Sequence, residues 1–296
     1  MPARRRGQRA TLGDLAGAVT PLAVRDLYAE IGDRLRKVPT RVNEYGFEDH
    51  GMEIAAVHRV AFPCALLYRY YFRVETSGIE HVPRGRVLLV ANHAGQLPFD
   101  AMMLGTATLL EAKPPRVARG MGEYWIPRLP FLGVLAARAG QMVGTPENCA
   151  QLLEREECVM VFPEGVRGMN KTFRQRYQLQ RFGSGFVRVA LQTGTPIVPV
   201  GIVGSEEQQP GLLNLERLGR ALGMPAFPIT PTFPWLGPLG LWPLPVRYRI
   251  RFGEPLRFEG DPNDEDAAIE ARVGEVKTAI ARLLAEGRAA RRSVFV

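Results

Sequence analysis

The chain has 296 residues, of which 46% are hydrophobic and 23% are charged. This composition is typical of a globular protein, and it excludes a wholly disordered chain, a collagen-like chain and a helical membrane channel. The 38 basic residues outnumber the 30 acidic residues and give a net charge of +8. Such a surplus favours an anionic partner, namely nucleic acid, a phospholipid surface or a phosphorylated substrate; a solvated basic surface that only aids solubility is the alternative.

The amino-terminal segment, residues 1–19, predicts a basic, mobile arm. Its first ten residues hold four arginines and no continuous apolar run follows them, so we expect no signal peptide. The three cysteines of the chain, Cys64, Cys149 and Cys158, show no C-x-x-C spacing. They predict reduced, partly buried thiols in a cytoplasmic compartment.

Two helices are predicted over residues 20–72. Thr20-Pro21 is a typical helix start, because a hydroxyl caps the free backbone amides and proline fits the first helical position. Apolar residues then recur at three-to-four spacing over 24–38. The second helix, over about 52–71, is almost continuously apolar and aromatic from residue 60 onward. With basic flanks, both helices could lie in a bilayer interface, and packing against the rest of the domain is the alternative.

From residue 72 onward, strand-like runs alternate with helical stretches. Short apolar strands are predicted at 86–91, 116–119, 141–143, 158–162 and 196–203. Helices are predicted from about residue 98 and over 124–137, 146–156 and 183–193. This alternation predicts an α/β fold with a mainly parallel sheet covered by helices.

The longest uncharged stretch, Ala221–Pro245, is long enough to span a bilayer, but it contains seven prolines. Proline interrupts a regular helix, and unpaired backbone groups are too costly in hydrocarbon, so we predict no transmembrane helix. The large apolar side chains Phe233, Trp235, Leu239 and Trp242 suit shallow insertion into a membrane surface instead.

The carboxy-terminal region predicts one strand and one helix. Residues 246–252 alternate with a period of two and place Arg247, Arg249 and Arg251 on one face, as a membrane-facing or solvated strand edge. An amphipathic helix follows, with its apolar stripe at Ile269, Val273, Val276, Ile280 and Leu283. We expect Asn263 to cap this helix and Gly287 to end it.

The first segment that could carry chemistry is Val87–Met102. His93 follows a predicted buried strand, and Asp100 falls in the first turn of the next helix. A tight turn at Gly95 could place the Asp100 carboxylate against one imidazole nitrogen of His93 and leave the other free to accept a proton. A capping aspartate beside a hydrogen-bonded histidine is the structural alternative.

The second such segment is Val159–Gly168, where a buried strand runs into Pro163-Glu164-Gly165 and then Arg167. Ligands bind at the carboxyl ends of strands in open α/β sheets. Glu164 could accept a hydrogen bond from a substrate hydroxyl, and Arg167 could hold a phosphate or carboxylate. A local surface salt bridge is the alternative. The chain has no G-x-S-x-G, Walker A, G-x-G-x-x-G or H-E-x-x-H sequence, which argues against several hydrolase and oxidoreductase classes.

Together these segments resemble the lysophospholipid/glycerol-phosphate acyltransferase superfamily, typified by the 1-acylglycerol-3-phosphate acyltransferases. The family's N-H…D motif matches Asn92-His93 and Asp100, its F-P-E-G-T-R motif matches residues 162–167, and its late apolar strand with proline matches residues 195–200. The order and separations fit over roughly residues 75–258. The resemblance implies a glycerolphosphate acyltransferase-like α/β domain over 73–258, after membrane-contacting helices over 20–72 and before a helix and tail over 259–296.

Three departures from the family pattern bear on the acceptor. Six residues separate His93 from Asp100, where four are commonest; this wider form resembles a branch that acts on glycerolipids, some with neutral acceptors. Residues 140–146, which match the family's second motif, contain no arginine, and Val166 replaces the usual threonine.

The resemblance implies an O-acyltransferase that moves a fatty acyl group from acyl-CoA or acyl carrier protein to a glycerolipid hydroxyl. It implies His93 as the general base, Asp100 as its orienting carboxylate, and Glu164, Gly165 and Arg167 as acceptor-binding residues. The expected acceptor is a lysophospholipid or lysophosphatidic acid, with a neutral mono- or diacylglycerol as one alternative and a non-catalytic lipid-binding protein of the same fold as another.

The implied partners are membrane lipids and the acyl donor, at the cytoplasmic face of a membrane to which the protein binds peripherally. No metal or redox cofactor is implied. A nucleic-acid partner is not expected, because we find neither a recognition motif nor a stacking platform with basic neighbours.

Overall fold

A computed structural model describes residues 20–221 and 227–295. The predicted arm over residues 1–19 lies outside the described residues. The helices are α1 Pro21–Leu35, α2 Ile54–Leu66, α3 Phe99–Leu110, α4 Leu132–Arg138, α5 Pro146–Glu154, α6 Val166–Met169, α7 Gly185–Thr193, α8 Glu216–Ala221 and α9 Asp266–Ala289. The strands are β1 Glu75–Ser77, β2 Val87–Ala91, β3 Ala118–Gly122, β4 Met142–Val143, β5 Cys158–Val161, β6 Ile197–Val203, β7 Leu213–Asn214, β8 Pro228–Ile229 and β9 Arg249–Phe252.

The main sheet has seven strands in the order β1-β9-β6-β2-β5-β3-β4, and β7 and β8 pair separately. Strands β6, β2, β5, β3 and β4 are parallel, whereas β9 is antiparallel to β6. At the centre of the sheet, Leu88 lies between Val159 and Ile197. The predicted α/β class, with a mainly parallel sheet covered by helices, is confirmed. The five parallel strands end at one side of the sheet, which we call the carboxyl edge.

Helices cover both faces of the sheet. Leu89 and Ala91 of β2 belong to the core formed with α1, α2 and α3, and Leu88 and Val90 belong to the core formed with α5, α7 and α9. Successive side chains of a strand point to opposite faces, so a strand with helices on both sides must be apolar throughout. This requirement explains the uninterrupted run V-L-L-V-A.

The first helix begins where the sequence predicts. The Thr20 hydroxyl accepts a hydrogen bond from the Ala23 backbone N–H at 3.2 Å and caps α1. The apolar stripe of α1, through Leu27, Ile31 and Leu35, is buried against α2 and α3. Residues 20–72 therefore share one core with the α/β sheet, and this stripe faces protein.

The helix predicted over 124–137 is interrupted. It divides into a 3₁₀ turn, Ile126–Arg128, and α4. Pro130 lies between them and cannot donate a backbone hydrogen bond, and Phe131 adopts a φ of +61°. This φ is rare for a bulky residue, and the Phe131 side chain is 89% exposed.

Both predicted ends of the carboxy-terminal helix are wrong, although its predicted apolar stripe is buried. Asn263 does not cap α9, because its N–H donates to Asp261 within the preceding turn at 2.7 Å, and the helix begins after Glu265. Gly287 lies inside α9, where the absence of a side chain allows close contact with Val203, and the helix ends at Ala289.

The arginine face of the segment over 246–252 differs from the prediction of a membrane-facing or solvated edge. Arg247 and Arg249 pair with Glu75 at 2.8 and 2.9 Å, and Arg251 pairs with Glu286 at 2.9 Å. These carboxylates come from β1 and α9, which flank β9. The alternation itself is confirmed, because the intervening apolar side chains are buried.

The uncharged stretch forms no long helix in its described part, residues 227–245, which contains β8 and a 3₁₀ turn, Gly237–Leu241. Its large side chains are mostly exposed, as predicted for Trp235, Leu239 and Trp242, whereas Phe233 is half-buried. Within the described ranges, no helix combines the length and the apolar character needed to cross a membrane.

Candidate active site

The loops that follow β2, β5 and β6 meet at the carboxyl edge. Asn92 comes directly after β2 and is fully buried. Its side-chain amide donates to the Ile202 carbonyl at 3.1 Å and accepts from the Ile202 N–H at 2.8 Å, which ties the end of β2 to β6. These two bonds fix the point at which the chain leaves the sheet, and so the position of the next residue, His93.

His93 and Asp100 are in direct contact. His93 Nδ1 lies 2.7 Å from Asp100 Oδ2, and the two residues are 8% and 0% exposed. With the Nδ1 proton in this bond, the lone pair is on Nε2, and no residue in the described part of the chain bonds to that atom. A neutral imidazole held in this way can take a proton from a hydroxyl group.

The Asp100 carboxylate is fully satisfied although it is buried. Besides His93, it accepts from the Ala94 N–H at 2.9 Å and from the Ala101 N–H at 2.8 Å. Asp100 also lies in the first turn of α3, where the positive end of the helix dipole favours a negative charge. These donors stabilise the charged form and hold the carboxylate in one orientation.

Two glycines let the loops approach this pair closely. Gly95 turns the spacer between His93 and Asp100 with a φ of +90°, so the predicted tight turn is confirmed. Gly168, in the short helix α6 that follows β5, lies so close to His93 that a Cβ there would be 2.8 Å from the His93 carbonyl oxygen. An alanine at either position would push the loops apart.

Glu164 lies beside His93 but does not face open space. One carboxylate oxygen accepts from the His93 backbone N–H at 2.9 Å, and the other accepts from the Gln180 N–H at 2.8 Å. The residue is 1% exposed. Each Glu164 oxygen therefore already accepts from a protein donor, and the expectation that Glu164 receives a substrate hydroxyl stays a prediction.

A second buried charge lies next to this carboxylate. Lys171 Nζ is 3.3 Å from Glu164 Oε2 and 2.9 Å from Glu206 Oε1. All three side chains are at most 3% exposed. Burial raises the pKa of Glu206, and the ammonium of Lys171 opposes that rise. One ammonium therefore serves two carboxylates that come from the loops after β5 and β6.

The other predicted acceptor-binding residues lie at the surface of the same loop. Gly165 has a φ of +55° and turns the chain from β5 into α6. Arg167 is exposed, and no described residue pairs with its guanidinium. The structure thus brings His93, Asp100 and Glu164 together and leaves Arg167 free to meet a ligand.

A cleft of about 250 Å³ opens at the carboxyl ends of β3 and β5, between Phe162, Gly144 and Gly183, and neither His93 nor Asp100 lines it. The Phe162 ring lies against the His93 ring, with centroids 4.5 Å apart. Burial raises the pKa of Cys149, which also lines this cleft, to about 12, so its thiol is not a nucleophile at neutral pH. A larger cleft of about 530 Å³, beside Arg155, lies at the opposite edge of the sheet.

Sequence reasoning missed the contribution of the loop after β6. Residues 205–209, S-E-E-Q-Q, are buried without exception. Five consecutive polar residues after a fully apolar strand are the signal that could have identified them, because buried polar side chains need hydrogen-bond partners. Lys171 was also missed, since nothing in its sequence neighbourhood distinguishes it from an exposed lysine.

Known proteins with similar sequences include acyltransferases. The Acyltransferase family model matches residues 73–203. An uncharacterised protein of Mycobacterium tuberculosis is 40% identical over 284 residues, which cover 93% of this chain and 78% of that protein. A probable 1-acyl-sn-glycerol-3-phosphate acyltransferase of Mycoplasma pneumoniae is 34% identical over 147 residues, which cover 47% of this chain and 52% of that protein.

Two further relatives extend the comparison. The chicken protein described as a DGAT1/2-independent enzyme synthesizing storage lipids is 25% identical, over 73% of this chain and 60% of its own length. The crystal structure of the 1-acyl-sn-glycerophosphate (LPA) acyltransferase PlsC of Thermotoga maritima has the same fold, with a TM-score of 0.54 and 17% identity, over 92% of this chain and 98% of that protein. Residues 73–203 of the chain therefore match the Acyltransferase family, and the chain has a fold like that of PlsC.

Proposed function

We propose that the protein transfers a fatty acyl group from a thioester, acyl-CoA or acyl carrier protein, to a hydroxyl group of a lysophospholipid or lysophosphatidic acid. The observation that carries this proposal is the buried His93–Asp100 pair, whose Nε2 atom has no partner among the described residues. Such a pair is a general base, and no serine, threonine or cysteine of the described residues bonds to it, which suits direct transfer between two bound substrates.

In the proposed reaction, His93 Nε2 removes the proton of the acceptor hydroxyl as its oxygen attacks the thioester carbonyl carbon. The carbon–sulfur bond then breaks and the thiolate leaves, and the imidazolium returns the proton to the sulfur. Asp100 holds the imidazole in the reactive tautomer and stabilises the imidazolium. Glu164 acts indirectly, because it fixes the backbone of His93 through a 2.9 Å hydrogen bond.

An exposed arginine at the site supports an anionic acceptor. Between Glu164 and Glu206 the chain has six basic residues and no acidic residue, and three of the six, Lys171, Arg181 and Arg188, pair with carboxylates. Arg167 lies three residues from Glu164 in this run and is exposed without a protein partner in the described structure. Its planar guanidinium can form two parallel hydrogen bonds with a phosphate.

Replacing Arg167 with alanine should raise the KM for lysophosphatidic acid by about 10- to 100-fold, the effect of losing one charge-assisted contact. The KM for a monoacylglycerol should change much less. Arg257→Ala is the matched control, because Arg257 is also exposed and unpaired within the described chain, but it follows β9 at the opposite edge of the sheet. Equal effects on both acceptors would show that Arg167 does not bind phosphate.

A neutral mono- or diacylglycerol acceptor is the second candidate. Two observations favour it. Residues 140–146 contain no arginine, and the chicken relative, which matches 73% of this chain, is described as synthesizing storage lipids. The Arg167→Ala comparison separates the two acceptor classes, since a neutral acceptor offers the guanidinium no charge to bind.

In the direct test, the purified protein is incubated with a labelled acyl donor, either acyl-CoA or acyl carrier protein. Each donor is combined with a panel of acceptors: lysophosphatidic acid, lysophospholipids, monoacylglycerol and diacylglycerol. Product lipids are identified by mass. We expect an acylated product from lysophosphatidic acid or a lysophospholipid with one of the two donors. Binding to lipid vesicles without any acylated product would instead identify a non-catalytic lipid-binding protein of this fold.

We also propose peripheral binding at the cytoplasmic face of a membrane, through the carboxyl edge. The segment between β6 and β9 leaves and rejoins the sheet at this edge, because the two strands are antiparallel neighbours. It exposes Trp235, Leu239 and Trp242 by 60–78%. The exposed Phe131 belongs to the segment that leaves β3 at the same edge. Exposed apolar side chains on the edge that also carries the exposed Arg167 suit an anionic bilayer surface.

The double substitution Trp235→Ser/Leu239→Ser should weaken binding to anionic vesicles at high salt by at least about 10-fold, because both side chains lose their burial in lipid. Binding of the unaltered protein should weaken with salt but leave a salt-resistant part. Co-sedimentation measures both effects. The control Leu22→Ser/Tyr45→Ser alters two side chains that are exposed by 59% and 76% within residues 20–72. A control that weakens binding more than the test pair would place the contact on the amino-terminal region.

A further inference from the structure

The loop after β6 joins several parts of the carboxyl edge. Residues 205–209 are polar and buried, and their side chains reach different elements. Glu206 bonds to Lys171 and Glu207 pairs with Arg291. Gln208 accepts from the Tyr248 hydroxyl. Gln209 is the member whose side chain hydrogen-bonds to the spacer between His93 and Asp100.

Gln209 uses both ends of its amide group. The oxygen accepts from the backbone N–H groups of Gln96 and Leu97, at 3.0 and 3.2 Å. The nitrogen donates to the Leu241 carbonyl oxygen. Because Gln209 is 5% exposed, water can replace few of these bonds. The side chain therefore bridges the spacer between His93 and Asp100 and the 3₁₀ turn Gly237–Leu241.

The six-residue spacer depends on this bridge. The N–H groups of Gln96 and Leu97 donate to Gln209, and no backbone carbonyl of residues 20–221 or 227–295 accepts from them. The turn before them, at Gly95, lies against the same loop, since a Cβ on Gly95 would be 2.6 Å from Gln208 Nε2. The loop after β6 thus forms the surface on which the spacer rests, and Gln209 supplies its hydrogen bonds.

We infer that Gln209 is a positioning residue for acyl transfer, which holds the His93–Asp100 spacer in its reactive conformation by bridging it to Leu241. The inference rests on the proposed role of His93 as general base. It also explains how a spacer of six residues, where four are commonest in the family, can still bring Asp100 to within 2.7 Å of His93.

The test uses Gln209→Leu and Gln209→Glu in the full chain. Gln209→Leu removes the bonds at both ends, and kcat should fall by about 10- to 100-fold with little change in KM, because a misplaced base slows chemistry more than it weakens binding. The control is Gln192→Leu, which alters an exposed glutamine of α7 whose side chain has no partner in the described structure. An unchanged kcat in Gln209→Leu would overturn the inference.

Gln209→Glu tests the bridge through the pH dependence of activity, which should not change if Gln209 only supports the fold. A neutral carboxylic acid has the same pattern as the amide: its carbonyl oxygen accepts from Gln96 and Leu97, and its hydroxyl donates to Leu241. A carboxylate has no donor for the Leu241 carbonyl. Burial raises the pKa of the introduced carboxyl, so activity relative to the unaltered protein should rise as the pH is lowered. A ratio that does not change with pH would contradict the bridge.

Amide hydrogen exchange separates this inference from the proposed function. In Gln209→Leu, the amides of Gln96 and Leu97 should exchange at least about 10-fold faster, since their acceptor is gone. Exchange at the original rate overturns the inference even if the protein proves inactive. Full activity of His93→Ala, in contrast, overturns the proposed function and leaves the exchange result standing.

Discussion

His93→Ala should lower the rate of acyl transfer by about 10²- to 10⁴-fold without unfolding the protein, because the loss of a general base costs that much. Asp100→Asn should have an effect of the same order. An asparagine amide facing Nδ1 donates instead of accepting, which moves the imidazole proton to Nε2 and removes the lone pair that takes the hydroxyl proton. Steady-state turnover with the acceptor that the lipid panel identifies measures both effects.

Folding and specificity controls accompany this prediction. Circular dichroism and thermal unfolding check that each variant is folded. His81→Ala is the matched histidine control, since His81 lies before β2 at the opposite edge of the sheet, where it bonds to the Phe252 carbonyl. Turnover near that of the unaltered protein in a folded His93→Ala variant would end the proposed mechanism.

Strand and helix order could be predicted because it depends on local patterns. The run from Val87 to Ala91 is apolar throughout, since both faces of β2 are covered, and the Thr20-Pro21 pair marks the start of α1 with a cap that the structure contains. The burial of the first helix was harder to predict from the sequence. An apolar stripe fits a bilayer or another helix equally well, and only the packing of α1 against α2 and α3 decides between them.

The site was predictable where its contacts join residues that are close in sequence. His93 and Asp100 are seven positions apart, and a strand end followed by a glycine turn and a helix start leaves few arrangements for them. Long-range partners were not predictable. Gln209 is 112 or more positions from the amides that it binds, and the Glu164 carboxylate turns to a backbone N–H 71 positions away. No local periodicity reports such contacts.

Removing Lys171 should destabilise the fold more than any surface substitution. Lys171→Met leaves Glu164 and Glu206 buried without the ammonium that lies between them, and breaking a buried pair in this way costs about 3–5 kcal/mol. The exposed control Lys37→Met should change the free energy of unfolding by less than about 0.5 kcal/mol. Denaturant unfolding at about pH 8 measures both values, and equal stabilities of the two variants would contradict a charged cluster.

Glu206 makes the free energy of unfolding depend on pH in a definite direction. Burial raises the pKa of Glu206, so between the ordinary glutamate pKa and this raised value the folded protein binds more protons than the unfolded chain. Stability that depends on this group is therefore present at low pH and falls as the pH rises through the folded pKa.

Lys171 lowers the pKa of Glu206, so Lys171→Met should raise that pKa further and widen the interval over which stability falls. The variant should consequently regain part of its lost free energy of unfolding between about pH 8 and about pH 5.5, relative to the unaltered protein. A deficit that stays constant over this range would show that the loss comes from packing around the lysine stem. A deficit that shrinks on acidification would show that the ammonium neutralises the buried carboxylates which connect the loops after β5 and β6, and through Glu164 the backbone of His93.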